Sequence, residues 1–159
     1  MHRIHNLTVS AADLDEFAPV TPADILRGAA LYLVLHGWLQ NSHYDGPRDG
    51  QPFPPACADG AIGMAAYGRI TTCPGRETQD PGYRDYLRAV DYLNGYLLRI
   101  GYQPPCDSWC PGGTDCLCCN DETDVVFAWN DDEQCIKDDV VRGLNAAAAD
   151  YDRTHCGSR

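Results

Sequence analysis

Cys57-Ala58-Asp59-Gly60-Ala61-Ile62-Gly63-Met64-Ala65-Ala66-Tyr67-Gly68 is the stretch whose reading decides the fold. It is small, nearly uncharged and rich in Gly and Ala, and longer apolar segments lie on both sides. Small side chains let other backbones approach closely, so the pattern predicts a short central helix with larger helices packed over it. Gly60, Gly63 and Gly68 match neither the Walker-type phosphate loop nor a strand-preceded G-x-G-x-x-G, and no Lys follows them. Close packing is the better account of these glycines. Asp59 then reads as a partner of the helix dipole or a cap.

Upstream, Thr21-Pro22-Ala23-Asp24 is a helix start. Thr21 can cap free N–H groups, Pro22 loses no hydrogen bond at the first position, and Asp24 suits the positive end of the dipole. Ile25, Ala29, Tyr32, Leu33 and Trp38 fall near helical spacing, which predicts a first helix to about Leu39. Its second half is apolar all round and reads as buried on more than one side. Residues 40–56 are turn chemistry, with room for at most a small hairpin. Downstream, Tyr83, Tyr86, Leu87, Val90, Leu93, Leu97 and Ile100 trace one face of a helix over 81–100, closed by Gly101. Asp124 to Trp129 is β-prone or a short buried extended piece. Asn130 to Asp132 offers caps for a last helix over 133–152, with Ile136, Val140, Leu144, Ala147 and Tyr151 on its inner face.

The fold class is therefore α+β, predominantly helical: one domain over 21–153 with about four helices, a small β element and a Cys-rich loop over 104–121. Residues 1–20 read as a loose arm and 154–159 as a frayed tail. The length of 159 residues and apolar content of 44% suit a single globular core. A net charge of −11 argues against phosphate-backbone binding, so no direct nucleic-acid contact is expected. Met1–Ser10 lacks a secretory h-region, and the run Ala29 to Leu35 is too short to span a bilayer. These features place the protein in a cytosol, where nine cysteines read as thiols or metal ligands more readily than as a disulfide set.

Chemistry can be read at three places. Cys106, Cys110, Cys116 and Cys119 are spaced as two close pairs that could hold a structural zinc. The short central gap and the adjacent Cys118 leave free thiols and disulfides open. Cys57 at a helix start could be a nucleophile, because the dipole favours thiolate. His36 or His43 would serve as its base, with Asn130 or Asp131 orienting that histidine. The competing reading makes Cys57 a small packing residue. Trp129-Asn130-Asp131 reads as a ligand rim, with Trp38 a further wall, or as a core anchor followed by a helix cap.

Three pieces together resemble a family of small domains of actinobacteria and their phages that has no established activity. They are His36-Gly37-Trp38-Leu39-Gln40, Cys57-Ala58-Asp59-Gly60-Ala61-Ile62, and Trp129-Asn130-Asp131 before an Ala-rich helix. The family pattern reads G-W-x-Q, C-x-x-G-A-hydrophobic and W-N-D. The resemblance covers residues 22–152, and the Cys-rich loop departs from it as an insertion. It implies a helical domain with a small β element, possible carriage on a phage or mobile element, and no particular reaction. The leading functional expectation is a small acidic non-enzymatic binding protein with a protein partner. A cysteine-dependent hydrolase or transferase built on Cys57, and a small-molecule binder with a Trp-lined pocket, are the alternatives.

Overall fold

Thr21 and Asp24 form a reciprocal cap at the start of the first helix. The Thr21 hydroxyl accepts from the Asp24 N–H at 3.2 Å, and the Asp24 carboxylate accepts from the Thr21 N–H at 2.9 Å. These bonds hold the Asp24 carboxyl below its ordinary range. The computed structural model describes residues 19–46, 52–104 and 125–155. They form one predominantly helical domain of five α-helices: α1 (Pro22–His36), α2 (Ala58–Tyr67), α3 (Tyr83–Arg99), α4 (Val125–Asp131) and α5 (Lys137–His155). A short 3-10 turn at Pro74–Arg76 links α2 to α3.

Helix α1 ends three residues before the expected Leu39, because Gly37 takes φ +102°. The chain then runs past Ala56, which makes isolated bridges to Trp38 and Tyr44. Among the described residues this is the whole β content, so no hairpin strand is formed there. Helix α1 packs mainly on α5 and α2. Ala23, Leu26, Ala29 and Leu33 face them, whereas Leu31, Val34 and Leu35 are 51–66% exposed. In the second half of α1, Ala29, Ala30, Tyr32 and Leu33 are buried and the opposite face is left open, so the expected burial all round is not seen.

Helix α2 packs on α1, α3 and α4 but hardly meets α5, and α1 has the most extensive packing, which corrects the expected central position of α2. Ala58, Ala61 and Ile62 are fully buried. Gly28 of α1 faces Ala65 of α2 closely enough that a Cβ there would lie 3.1 Å away. The two α2 glycines, however, admit loops rather than helices. A Cβ on Gly60 would stand 2.2 Å from the His43 carbonyl oxygen, and one on Gly63 would press on the Pro74 ring at 2.9 Å.

Helix α3 starts at Tyr83, with the Gly82 N–H bonded to the Asp80 carboxylate at 2.8 Å. Tyr86, Ala89, Leu93 and Leu97 face the core, while Leu87 and Ile100 remain exposed. Gly101 closes the helix at φ +90°. The β-prone stretch after residue 124 is helical, correcting the extended expectation. Asn94 of α3 accepts the Val126 N–H at 3.1 Å, so tertiary contacts supply the N-terminal acceptor that the local sequence lacks. Neither Asn130 nor Asp131 caps the last helix. Asp132 makes the intervening turn, accepting the Gln134 N–H at 2.9 Å, and α5 begins at Lys137. Ile136, expected inside, is 57% exposed because it precedes the helix. Asp150 ties α5 to α3 through Tyr92 at 2.8 Å and Arg99 at 2.7 Å.

Two glycine substitutions should act with opposite sign. Gly60→Ala forces a methyl against a backbone carbonyl and should destabilise the chain by about 1–3 kcal/mol. Gly95→Ala in mid-α3 meets only the flexible end of Arg99, so it should stabilise by about 0.5–1 kcal/mol. Urea denaturation of both variants checks the pair.

Candidate functional site

Asn130 is 1% exposed near the end of α4. Its side-chain oxygen accepts from the Trp38 indole N–H at 2.7 Å and from the Ala58 backbone N–H at 2.9 Å. Its amide nitrogen donates to the Leu39 carbonyl at 3.2 Å and to Asp131 Oδ1 at 2.7 Å. Two acceptor positions and two donors are thus all used. The assignment of oxygen and nitrogen follows from the network, since a flipped amide would set donor against donor at Trp38 and Ala58. Gln40 adds bonds from its amide to the Asn130 and Asp132 carbonyls, both at 2.9 Å. The Asn41 N–H reaches Asp131 Oδ1 at 2.9 Å. Ala58 is the first residue of α2, so Asn130 satisfies one of its orphan N–H groups.

Cys57 immediately precedes that helix and caps it, its sulfur accepting the Gly60 N–H at 3.3 Å. Its own N–H donates to the His43 carbonyl at 3.1 Å. His43 Nδ1 then stands 3.9 Å from Cys57 Sγ and 3.3 Å from Asp59 Oδ2. Asp59 is buried and accepts the Tyr86 hydroxyl on its other oxygen at 2.6 Å. Oδ2 receives no hydrogen bond of good geometry, so its relation to His43 is an ion pair by distance. Charge attraction survives that misalignment. Asp59 first, and Cys57 second, hold the His43 pKa up at about 10 against the opposing effect of burial. Burial, then the Asp59 charge, push the Tyr86 phenol upward too.

Both partners of His43 face the same ring nitrogen. The set opens on a cavity of about 260 Å³ lined by Asn41, Ser42, His43, Cys57, Phe127 and Asp131. Phe127 meets the His43 ring in a T-shaped contact at 5.2 Å. Ser42 also borders a neighbouring cavity of about 440 Å³, walled by Trp38, Tyr44 and Pro55.

The structure distributes the sequence candidates unevenly. His43 lies beside Cys57, whereas the ring contacts of His36 are with Tyr32 and Phe53. Asp131 lines the small cavity, and Asn130 stands behind it in the scaffold. Trp38 borders the larger cavity, while Trp129 lies against Gly143 of α5. Cys106, Cys110, Cys116 and Cys119 lie outside the described residues. Among the described residues no group of three or more His, Cys, Asp or Glu side chains could hold a metal ion. Sequence reasoning missed Asp59 as the partner of His43 and Tyr86 as the partner of Asp59. The one available signal was a carboxylate two residues after Cys57 within an otherwise uncharged helix.

Removing the Asn130 amide leaves the Trp38 and Ala58 donors buried without acceptors. Asn130→Ala should cost about 2–5 kcal/mol in urea denaturation. A second expectation concerns pH. The folded-state pKa of His43 is raised from 6.5 to about 10, so its stabilisation is complete below 6.5 and is lost as pH rises through about 10. The stability difference between wild type and His43→Gln should therefore shrink across that window, as read from urea midpoints at a series of pH values.

No curated protein and no solved structure matches the chain. A model for a family of unknown function, DUF6197, matches residues 18–150. That span holds the whole Asn130 network together with Cys57, His43, Asp59 and Tyr86. The match extends over most of the sequence, and the chain belongs to the DUF6197 family.

Proposed function

We propose that the chain is a thiol-dependent hydrolase or transferase in which Cys57 is the nucleophile and His43 its proton partner. The observation that carries this reading is the 3.9 Å approach of Sγ, in a residue only 2% exposed, to Nδ1 beside a small cavity. The sulfur stands at the N-terminus of a ten-residue helix and accepts the Gly60 N–H. The Asp59 carboxylate supports a protonated His43, the charge with which a thiolate pairs. In such a reaction the proton already rests on Nδ1, and Sγ bonds as the thiolate to an acyl carbon. The leaving group then takes the proton from Nδ1, and water or a second acceptor releases the acyl group and restores the thiolate. Asn130 positions the helix start in this scheme, and Asp59 takes the orienting place beside the histidine.

A binding role is the second reading, favoured by Leu31, Val34 and Leu35. These lie at i, i+3 and i+4 on the open side of α1, each more than half exposed. A host or virion protein is the kind of partner such a strip would serve in a phage-borne member. Among the described residues no helix is long and apolar enough to cross a membrane.

Site-resolved alkylation tests the nucleophile. At pH 7, iodoacetamide should label Cys57 faster than Cys135, whose thiol burial pushes up to about 11. His43→Gln, with its fold checked by circular dichroism, should slow Cys57 labelling about tenfold or more. Equal labelling of Cys57 in wild type and His43→Gln would remove the histidine from the mechanism.

A further inference from the structure

Resting on the nucleophile reading, we infer that the substrate carries a small alkylammonium group beside the reacting carbon, held between the Asp131 carboxylate and the Phe127 ring. Both side chains line the cavity that Cys57 and His43 border. Asp131 Oδ1 is fixed by the Asn41 N–H and the Asn130 amide, at 2.9 and 2.7 Å. That anchoring sets the carboxylate in place and leaves Oδ2 for a ligand. Phe127 supplies the aromatic surface that an organic cation favours. The only cationic side chain among the described lining residues is His43, and Asp59 is already its counter-ion. An anionic substrate would therefore meet Asp131 with no compensating charge, whereas an ammonium would find a ready partner. A volume of about 260 Å³ falls below the range of drug-sized sites and suits a short aminoalkyl chain. The overall charge of −11 attracts cations at longer range in the same sense.

Three methanethiosulfonates that differ in charge probe this without knowledge of the substrate: the aminoethyl (cationic), methyl (neutral) and sulfonatoethyl (anionic) reagents. In each case the Cys57 thiolate bonds to the reagent's sulfenyl sulfur, methanesulfinate leaves, and a mixed disulfide remains. Rates at Cys57 are read by mass spectrometry of the non-reduced peptide. Each is divided by the rate of the same reagent with the urea-unfolded chain. The cationic reagent should exceed the anionic one by about tenfold after that correction. Asp131→Asn, which keeps an acceptor for Asn41, should remove most of the preference. Ser42→Lys, at the exposed edge shared by the two cavities, should lower it without touching the Asn130 network. Equal corrected rates for all three reagents would leave Cys57 as a nucleophile and overturn the ammonium inference. A preference unchanged in both variants would assign it to the overall charge and overturn the inference equally. If no reagent modifies Cys57 while Cys73 and Cys135 react, the nucleophile reading and the inference fall together.

Discussion

One buried amide holds three distant segments in register. Asn130 takes the Trp38 indole and the first N–H of α2 on its oxygen, and binds the Leu39 carbonyl and Asp131 through its nitrogen. In a low-dielectric interior an amide is costly unless every donor and acceptor is matched. Here they are matched, so any shift of α4, of the 37–41 loop or of α2 breaks bonds that water cannot replace. The energetic consequence is specificity of arrangement more than net stability, since a typical satisfied bond contributes only about 1 kcal/mol. Cys57, His43 and Asp131 are all within a few residues of that amide's partners. The geometry of the cavity follows from the scaffold.

The second constraint is closeness of backbone. Gly60 lets the His43 carbonyl lie against α2, and the Cys57 N–H bonds to that same carbonyl. The separation between the sulfur and the imidazole is thereby set by main-chain contacts on both sides. Asp59, in the first turn of α2, receives the Tyr86 hydroxyl and faces His43. A carboxylate at this position is stabilised by the helix N-terminus, by a phenol and by a protonated ring. That combination explains how a buried acid is accommodated in a helix whose other residues are all uncharged.

Three of the helices were legible in local signals. Thr21-Pro22-Ala23-Asp24 marked the start of α1, the apolar stripe marked α3, and the Gly/Ala run marked α2. Each depends on capping chemistry or periodicity contained in its own residues. The misreadings came where distant residues decide the outcome. Val125 to Trp129 has β-branched and aromatic composition, yet Asn94 and the Asn130 network make it helical. Leu31, Val34 and Leu35 look like core from hydrophobicity alone, but which side of a helix is covered depends on where its neighbours come to rest. At the site, Cys57 at a helix start and His43 as one of two histidines were readable. The choice between the histidines, and the pairing of Asp59 with Tyr86, are set by loop closure and by packing between α2 and α3.

The Asp59–Tyr86 bond has a bearing on motion. It joins the first turn of α2 to the core face of α3, and the Asn130 bonds join the same turn to α4 and the loop after α1. Amide protons in that turn cannot meet solvent by a loop lifting away, because exposing them requires several helices to separate together. Opening the turn around Cys57 therefore requires breaking contacts to several elements at once. Hydrogen exchange in that turn would then report on the packing of α2, α3 and α4 together.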